Sequence, residues 1–216
     1  MRGLFITMEG MDGCGKSTQL EMLARALGER GFDIVVTREP GGTPIGEGVR
    51  SLLVSDASVG IAPLTELFLI VAARAQHVTD VIKPGVEAGR IVISDRYTDS
   101  SVAFQGYGRG LDLAFVNEMN RVATGGFKAD LTIVLDLEPE LAQSRMSARP
   151  IGGLLGAFDE EKLDFHARVR RGYLDLAASE PSRIRLVDAS GTAEETHAKV
   201  MQLVETAIRS RGVINQ

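Results

Sequence analysis

The chain has 216 residues, a formal net charge of −5, 44% hydrophobic residues and one cysteine. That length suits a single α/β domain over residues 1–216 with a sizeable core, and the acidic balance argues against nucleic acid as a ligand. The lone Cys14 excludes an intrachain disulfide or zinc cluster and fits a reducing cytoplasm, and no apolar run reaches membrane-spanning length.

Met1-Arg2-Gly3 leads straight into an apolar stretch, Leu4-Phe5-Ile6-Thr7-Met8, which reads as a buried strand without room for a cleaved signal before it. Gly10-Met11-Asp12-Gly13-Cys14-Gly15-Lys16-Ser17 follows, a complete G-x-x-x-x-G-K-[ST] loop, and Thr18 opens a helix with Leu20, Leu23, Ala24 and Leu27 on one face. In such a loop glycines let backbone N–H groups curl around a polyphosphate at the positive end of a helix. Lys16 then reaches the β- and γ-phosphates and Ser17 offers its hydroxyl to Mg²⁺. Residues 33–37 read as a second strand, followed by the breaker-rich Arg38-Glu39-Pro40-Gly41-Gly42 and a weakly helical 45–54. A helix is predicted from Pro63 to about residue 82, ended or kinked by Pro84-Gly85. Strands are predicted over 90–94, 130–137 and 183–188, and helices over 112–122, from 138, over 160–178, and from a Thr192-to-Glu195 capping box to about residue 209. Alternating strands and helices predict a parallel five-stranded sheet in a three-layer α/β/α arrangement. The Gly/Pro-rich stretch after Arg149 reads as a mobile loop, and residues 145–158 as a lid.

A phosphate loop alone does not choose a reaction. No Asn-Lys-x-Asp guanine-reading motif occurs, which argues against a GTPase, and the chain is small for a motor. A small-molecule kinase needs a second site facing the first and a lid that keeps water from the transferring phosphoryl group. Ligands in open parallel sheets bind beyond the carboxyl ends of the strands. Arg38-Glu39-Pro40 and Asp95-Arg96-Tyr97 lie at two such ends, so an acceptor phosphate would meet Arg96, with Arg50 and Arg74 as further candidates.

The loop from Gly10 to Ser17, Thr37-Arg38-Glu39-Pro40-Gly41-Gly42, Arg74-Ala75-Gln76-His77, and the stretch from Asp95-Arg96-Tyr97 to Gln105-Gly106 together resemble bacterial thymidylate kinases, over nearly the whole chain. The resemblance implies a P-loop kinase fold, transfer of a phosphoryl group from ATP to dTMP with Mg²⁺, and a cytoplasmic homodimer. It implies that Gly10, Met11, Asp12, Gly13, Cys14, Gly15, Lys16, Ser17 and Thr18 hold ATP. Asp12, Glu39, Pro40, Arg50, Ile70, Arg74, Arg96, Ser101 and Gln105 would hold dTMP. Arg74 would read thymine O4, Arg96 the acceptor phosphate, and Asp12 the sugar 3′-hydroxyl. Ser17, Asp95 and Glu39 would serve the metal. The loop of residues 187–190 would lie beside the adenine.

Two positions depart from the family pattern. Gly13 stands where some members carry the catalytic arginine, and Gly156-Ala157-Phe158-Asp159 replaces a lid motif that supplies it in others. The role is therefore expected of Arg149, with Arg145 as second choice. Ile70 stands where a phenylalanine commonly supports the base, while Phe68 points elsewhere, so thymine is expected on an aliphatic face. His77, His166 and His197 are expected in surface or packing roles, and the Arg168-Val169-Arg170-Arg171 run as a solvated face or a neutraliser of donor phosphates. Leu64, Leu67, Phe68 and Val71 fit either core or a dimer face. Two other readings stay open: a kinase of another nucleotide or nucleoside, such as dUMP, dCMP or a deoxynucleoside, and a nucleotide-binding regulator without catalysis.

Overall fold

Six consecutive buried residues, Leu4–Glu9 (β1), form the middle strand of a parallel sheet. A strand covered on both faces must be apolar almost throughout, which is how this segment reads. The structure, a computed structural model, describes residues 2–54, 60–147 and 163–213. The sheet adds β2 (Ile34–Arg38), β3 (Ile91–Asp95), β4 (Leu131–Asp136) and β5 (Ile184–Asp188) in the order β2-β3-β1-β4-β5, all parallel.

The two faces of β1 feed two cores. Leu4, Ile6 and Met8 pack with Leu20, Leu23 and Leu27 of α1 (Lys16–Glu29) and, further along the chain, with Val200 and Val204 of a C-terminal helix. Phe5 joins Val78, Ile82 and Val86 on the opposite side. The expected three-layer α/β/α arrangement follows. Between the strands lie α2 (Pro44–Val54), α3 (Pro63–His77), α4 (Lys83–Glu87), α5 (Thr98–Ser101), α6 (Leu113–Thr124), α7 (Pro139–Ser147), α8 (Leu163–Ser179) and α9 (Ala193–Arg211). The Thr192 capping box of α9 is present with both of its hydrogen bonds. Among the described residues no helix is long and apolar enough to cross a membrane.

Two segments differ from expectation. The helix does not stop at Pro84: the α ladder gives way after His77 to a π-helical turn, Val78–Ile82, which leads into α4 with Pro84 in its first turn. The stretch after Tyr97, for which periodicity predicts no element, is helical, with α5 passing into a π-helical segment at Val102–Gly108. Its wide turn is marked by Arg109 N donating to Phe104 O at 2.8 Å, five residues back. Leu67 is core, Leu64 and Phe68 are surface, and Val71 is half-buried against the core. The expected lid lies mostly outside the described residues. Of it, Arg145 to Ser147 close α7, while Arg149 and the 156–159 stretch fall outside.

Candidate active site

The carboxyl ends of β1, β2 and β3 converge because the register places Met8 beside Asp95 and Arg38 beside Asp95. The phosphate loop leaves β1 there, and the Glu39 and Arg96 segments leave their strands beside it. One cavity at this edge is lined by Asp12, Glu39, Pro40, Arg50, Ile70, Arg74, Arg96, Ser101 and Gln105, the whole set expected on the acceptor side. Leu53, Val54, Ser100 and Phe104 complete its wall. The wall is therefore not purely aliphatic: Ile70 is present as expected, and Phe104, whose place in an unassigned segment concealed it, borders the cavity too. Phe68 instead lies outside, half exposed, edge-on to Phe115.

Arg96 is held from several sides. Its Nη2 donates to Asp12 Oδ1 at 2.7 Å and its Nη1 to Gly10 O at 3.0 Å and Ser100 Oγ at 3.2 Å, while its guanidinium lies 4.7 Å from the Phe104 ring centre. Its backbone has φ 72°, a left-handed conformation that costs a side-chain-bearing residue on the order of 1–3 kcal/mol. The main-chain bond from Arg96 N to Met8 O, at 3.0 Å, helps keep it there. Burial pushes the Asp12 carboxyl up, but the Arg96 and Lys16 charges outweigh it and hold the group at about 2. Beneath this pair, Glu9 accepts from Tyr97 N at 2.8 Å, Ser100 Oγ at 2.5 Å and Tyr173 Oη at 2.9 Å. Burial, with the charge of Asp99, pushes Glu9 up to about 7 against those donors. A carboxylate closing an apolar strand just before the glycine loop is the signal by which Glu9 could be found.

Arg74 is 1% exposed and uses four of its five N–H donors: Nε to Glu39 at 2.7 Å, Nη1 to Ser101 at 2.9 Å and Asn120 at 2.5 Å, and Nη2 to Tyr97 O at 2.9 Å. The other Glu39 oxygen receives His77 Nδ1 at 2.9 Å. A carboxylate only accepts, so the proton of that bond sits on Nδ1, and His77 Nε2 faces the Thr37 hydroxyl at 2.6 Å. A Cβ on Gly42 would lie 2.5 Å from Thr37 Oγ1 and 2.7 Å from His77 Nε2, so this closure needs glycine there. His77 is thus no plain packing residue. Its spacing of three from Arg74 puts it on the same face of α3, a signal visible in the sequence.

This geometry corrects the metal expectation. Both Glu39 oxygens are committed to Arg74 and His77, and the group is 3% exposed, so Glu39 does not fit a metal ligand. Ser17 and Asp95 do fit: Ser17 is exposed at the loop, and Asp95 Oδ1 is buried without a hydrogen-bond partner among the described residues.

On the other side of the loop, Lys16 Nζ donates to Gly10 O at 3.1 Å and Met11 O at 2.9 Å, and lies 3.7 Å from Asp12. Cys14 is buried, and burial pushes its thiol up, away from reactivity. Gly13 has φ 82°, and a Cβ there would lie 2.4 Å from Ala142 O and 2.9 Å from Met146 Cγ of α7. An arginine at this position is excluded by the close approach of α7. Arg145, on the same helix, donates to Ala189 O at 2.9 Å, Ser190 O at 3.1 Å and Gly191 O at 3.4 Å, which fastens α7 to the loop after β5. Of the basic run of α8, Arg168 and Arg171 lie on a solvated face, 47% and 70% exposed and paired with Asp164 and Asp175, while Arg170 is partly buried against Asp136.

A family model described as thymidylate kinase matches residues 8–200. The chain is 47% identical over 213 residues to a thymidylate kinase of Desulfovibrio desulfuricans, covering 97% of this chain and 98% of that one. It is 46% identical over 206 residues to a thymidylate kinase of Geotalea uraniireducens, with 94% and 96% covered. The crystal structure of thymidylate kinase from Ehrlichia chaffeensis superposes with a TM-score of 0.76 at 32% identity, covering 95% of this chain and 99% of that one.

Proposed function

Because the chain belongs to the thymidylate kinase family and phosphorylates dTMP, we propose how its residues divide that work. ATP lies along Gly10 to Thr18, and dTMP fills the cavity beyond β1 to β3. The observation that carries this division is the convergence of the nine acceptor-side residues on one cavity next to the phosphate loop.

Arg96 receives the dTMP phosphate. Its Nε has no partner among the described residues, and Asp12, Gly10 and Ser100 fix the rest of the fork. Asp12, kept ionised, faces the sugar 3′-hydroxyl as an acceptor. Arg74, clamped by Glu39, Ser101 and Asn120, points its remaining donor at the base, and Ile70 and Phe104 flank the ring. Lys16 neutralises the donor phosphates. Ser17 and Asp95 would hold Mg²⁺, which supplies charge neutralisation on the transferring phosphoryl group when bound. Such transfer depends on in-line positioning and charge more than on covalent chemistry. Residues 145–158 act as a lid, and Arg149 carries the charge that Gly13 leaves out. Arg145 holds the adenine-side loop and is second choice for that charge.

The face bearing Leu64, Phe68, Leu113 and Phe115, exposed by 37–49%, supports a homodimer, which sedimentation tests. The buried, unreactive Cys14 suits the cytoplasm. Coupled ADP release, with dTMP, ATP and Mg²⁺ omitted one at a time, tests the scheme. Full release without added Mg²⁺ in the presence of a chelator would overturn the metal assignment.

A further inference from the structure

Glu66 lies outside the cavity wall, two helical turns before Arg74 on the same face of α3, and is 4% exposed. Its Oε1 accepts from Gln105 Nε2 at 2.7 Å. Arg109 Nη2 lies 3.2 Å from its Oε2. Gln105, 2% exposed, lines the cavity.

We propose that Glu66 is a positioning residue that fixes which end of the Gln105 amide faces the base, and thereby sets selection for thymine over cytosine. The proposal deepens the reading above, in which Arg74 and Gln105 meet the base. A carboxylate paired with Arg109 carries no proton to donate. Turning the Gln105 amide around would set two acceptors against each other in a buried place, which is costly. Nε2 therefore stays on Glu66, and Oε1, without a partner among the described residues, is the end left for a ligand. Arg74 has one N–H to spare, on Nη2. The cavity thus offers one fixed donor and one fixed acceptor. Thymine presents the complement, an acceptor at O4 and a donor at N3. Cytosine presents the reverse at both positions. Uracil matches thymine here, so rejection of dUMP must come from contact with the 5-methyl group instead.

The test compares kcat/KM for dTMP, dCMP and dUMP in wild type, Glu66→Gln and Gln105→Leu, with folding checked by thermal melting. A glutamine at 66 can donate or accept, so the lock is lost. The expected result in Glu66→Gln is a dTMP-over-dCMP preference reduced about tenfold, the weight of one hydrogen bond, carried mainly by KM for dTMP. The dTMP-over-dUMP preference stays unchanged, which a general loss of structure would not achieve. An unchanged dTMP-over-dCMP preference in folded Glu66→Gln, with that preference lost in Gln105→Leu, overturns the lock alone. A preference kept in Gln105→Leu overturns the base reading and the lock with it. Should Glu66→Gln fail to fold, the Gln105 side-chain amide resonance in wild type decides. It stays nearly fixed as dTMP is added if its protons face Glu66, and a large shift from donation to the base overturns the proposal.

Discussion

The acceptor cavity and the donor loop are built on different principles. Around the cavity, Arg96 is held by Asp12, Arg74 by Glu39, and Gln105 by Glu66, so the polar wall is positioned by protein partners. Along the donor loop, Ser17 and Thr18 are exposed, and Lys16 is the single buried cation, resting on carbonyls of its own loop. The contrast teaches where selectivity sits. In the proposed division, a base and a sugar meet fixed side chains whose mismatch would leave buried polar groups unpaired. A triphosphate on the proposed donor loop would be gripped by backbone and charge, which any nucleoside triphosphate would satisfy.

The largest effect that would break this contrast is at Lys16. Lys16→Ala is expected to lower kcat by on the order of 10³, measured as steady-state ADP formation, with KM for dTMP little changed. A large rise in KM for dTMP instead would mean that the two sides are not separate. Arg149→Ala is expected to lower kcat by on the order of 10³, the lower end for a transition-state arginine, at saturating substrates. An unchanged kcat moves the catalytic charge to Arg145. Arg145→Ala is otherwise expected to raise KM for ATP about threefold to tenfold through the loosened loop after β5 and to spare KM for dTMP, which initial-rate kinetics reads.

Glu9 sharpens the comparison through pH. Its carboxyl is raised from 4.5 to about 7 in the folded protein, so the native state holds the proton more tightly than the unfolded chain. Its effect on stability is then neutral below about 4.5; stability declines as pH rises from there towards 7, where only the unfolded chain has lost the proton, and levels off above about 7, where both states are ionised. Thermal melting between pH 5 and 8 should show this decline, flattened in Glu9→Gln. A slope unchanged by the substitution assigns it to other groups. The smallest effect lies far from both sites: Thr192→Ala removes the α9 cap and should cost about 1 kcal/mol in denaturant unfolding without altering kcat.

Much of the fold is legible in the sequence because a parallel sheet buried on both faces needs apolar runs, and those of β1, β3 and β4 stand between breakers and charged ends. The glycine loop and the Arg38-Glu39 and Asp95-Arg96 strand ends are legible for the same reason: strand order turns separate motifs into one cavity. What escapes is what periodicity does not carry. The segment after Tyr97 follows a π ladder, so no 3.6-residue pattern reveals Phe104 or the placement of Gln105. Glu66 and His77 look like surface polar residues until their shared face with Arg74 is counted. The double commitment of Glu39 to Arg74 and His77 is a tertiary fact, and it removes that residue from the metal.

The π-helical segment at Val102–Gly108 also limits how the chain can change length. Losing one residue there would let the backbone relax into an ordinary α ladder, a locally comfortable outcome. Each residue of an α-helix turns about 100°, so Arg109 would swing by roughly that angle relative to Gln105 and leave Glu66 with one partner instead of two. Related chains should therefore vary the letters of this stretch more freely than the number of them.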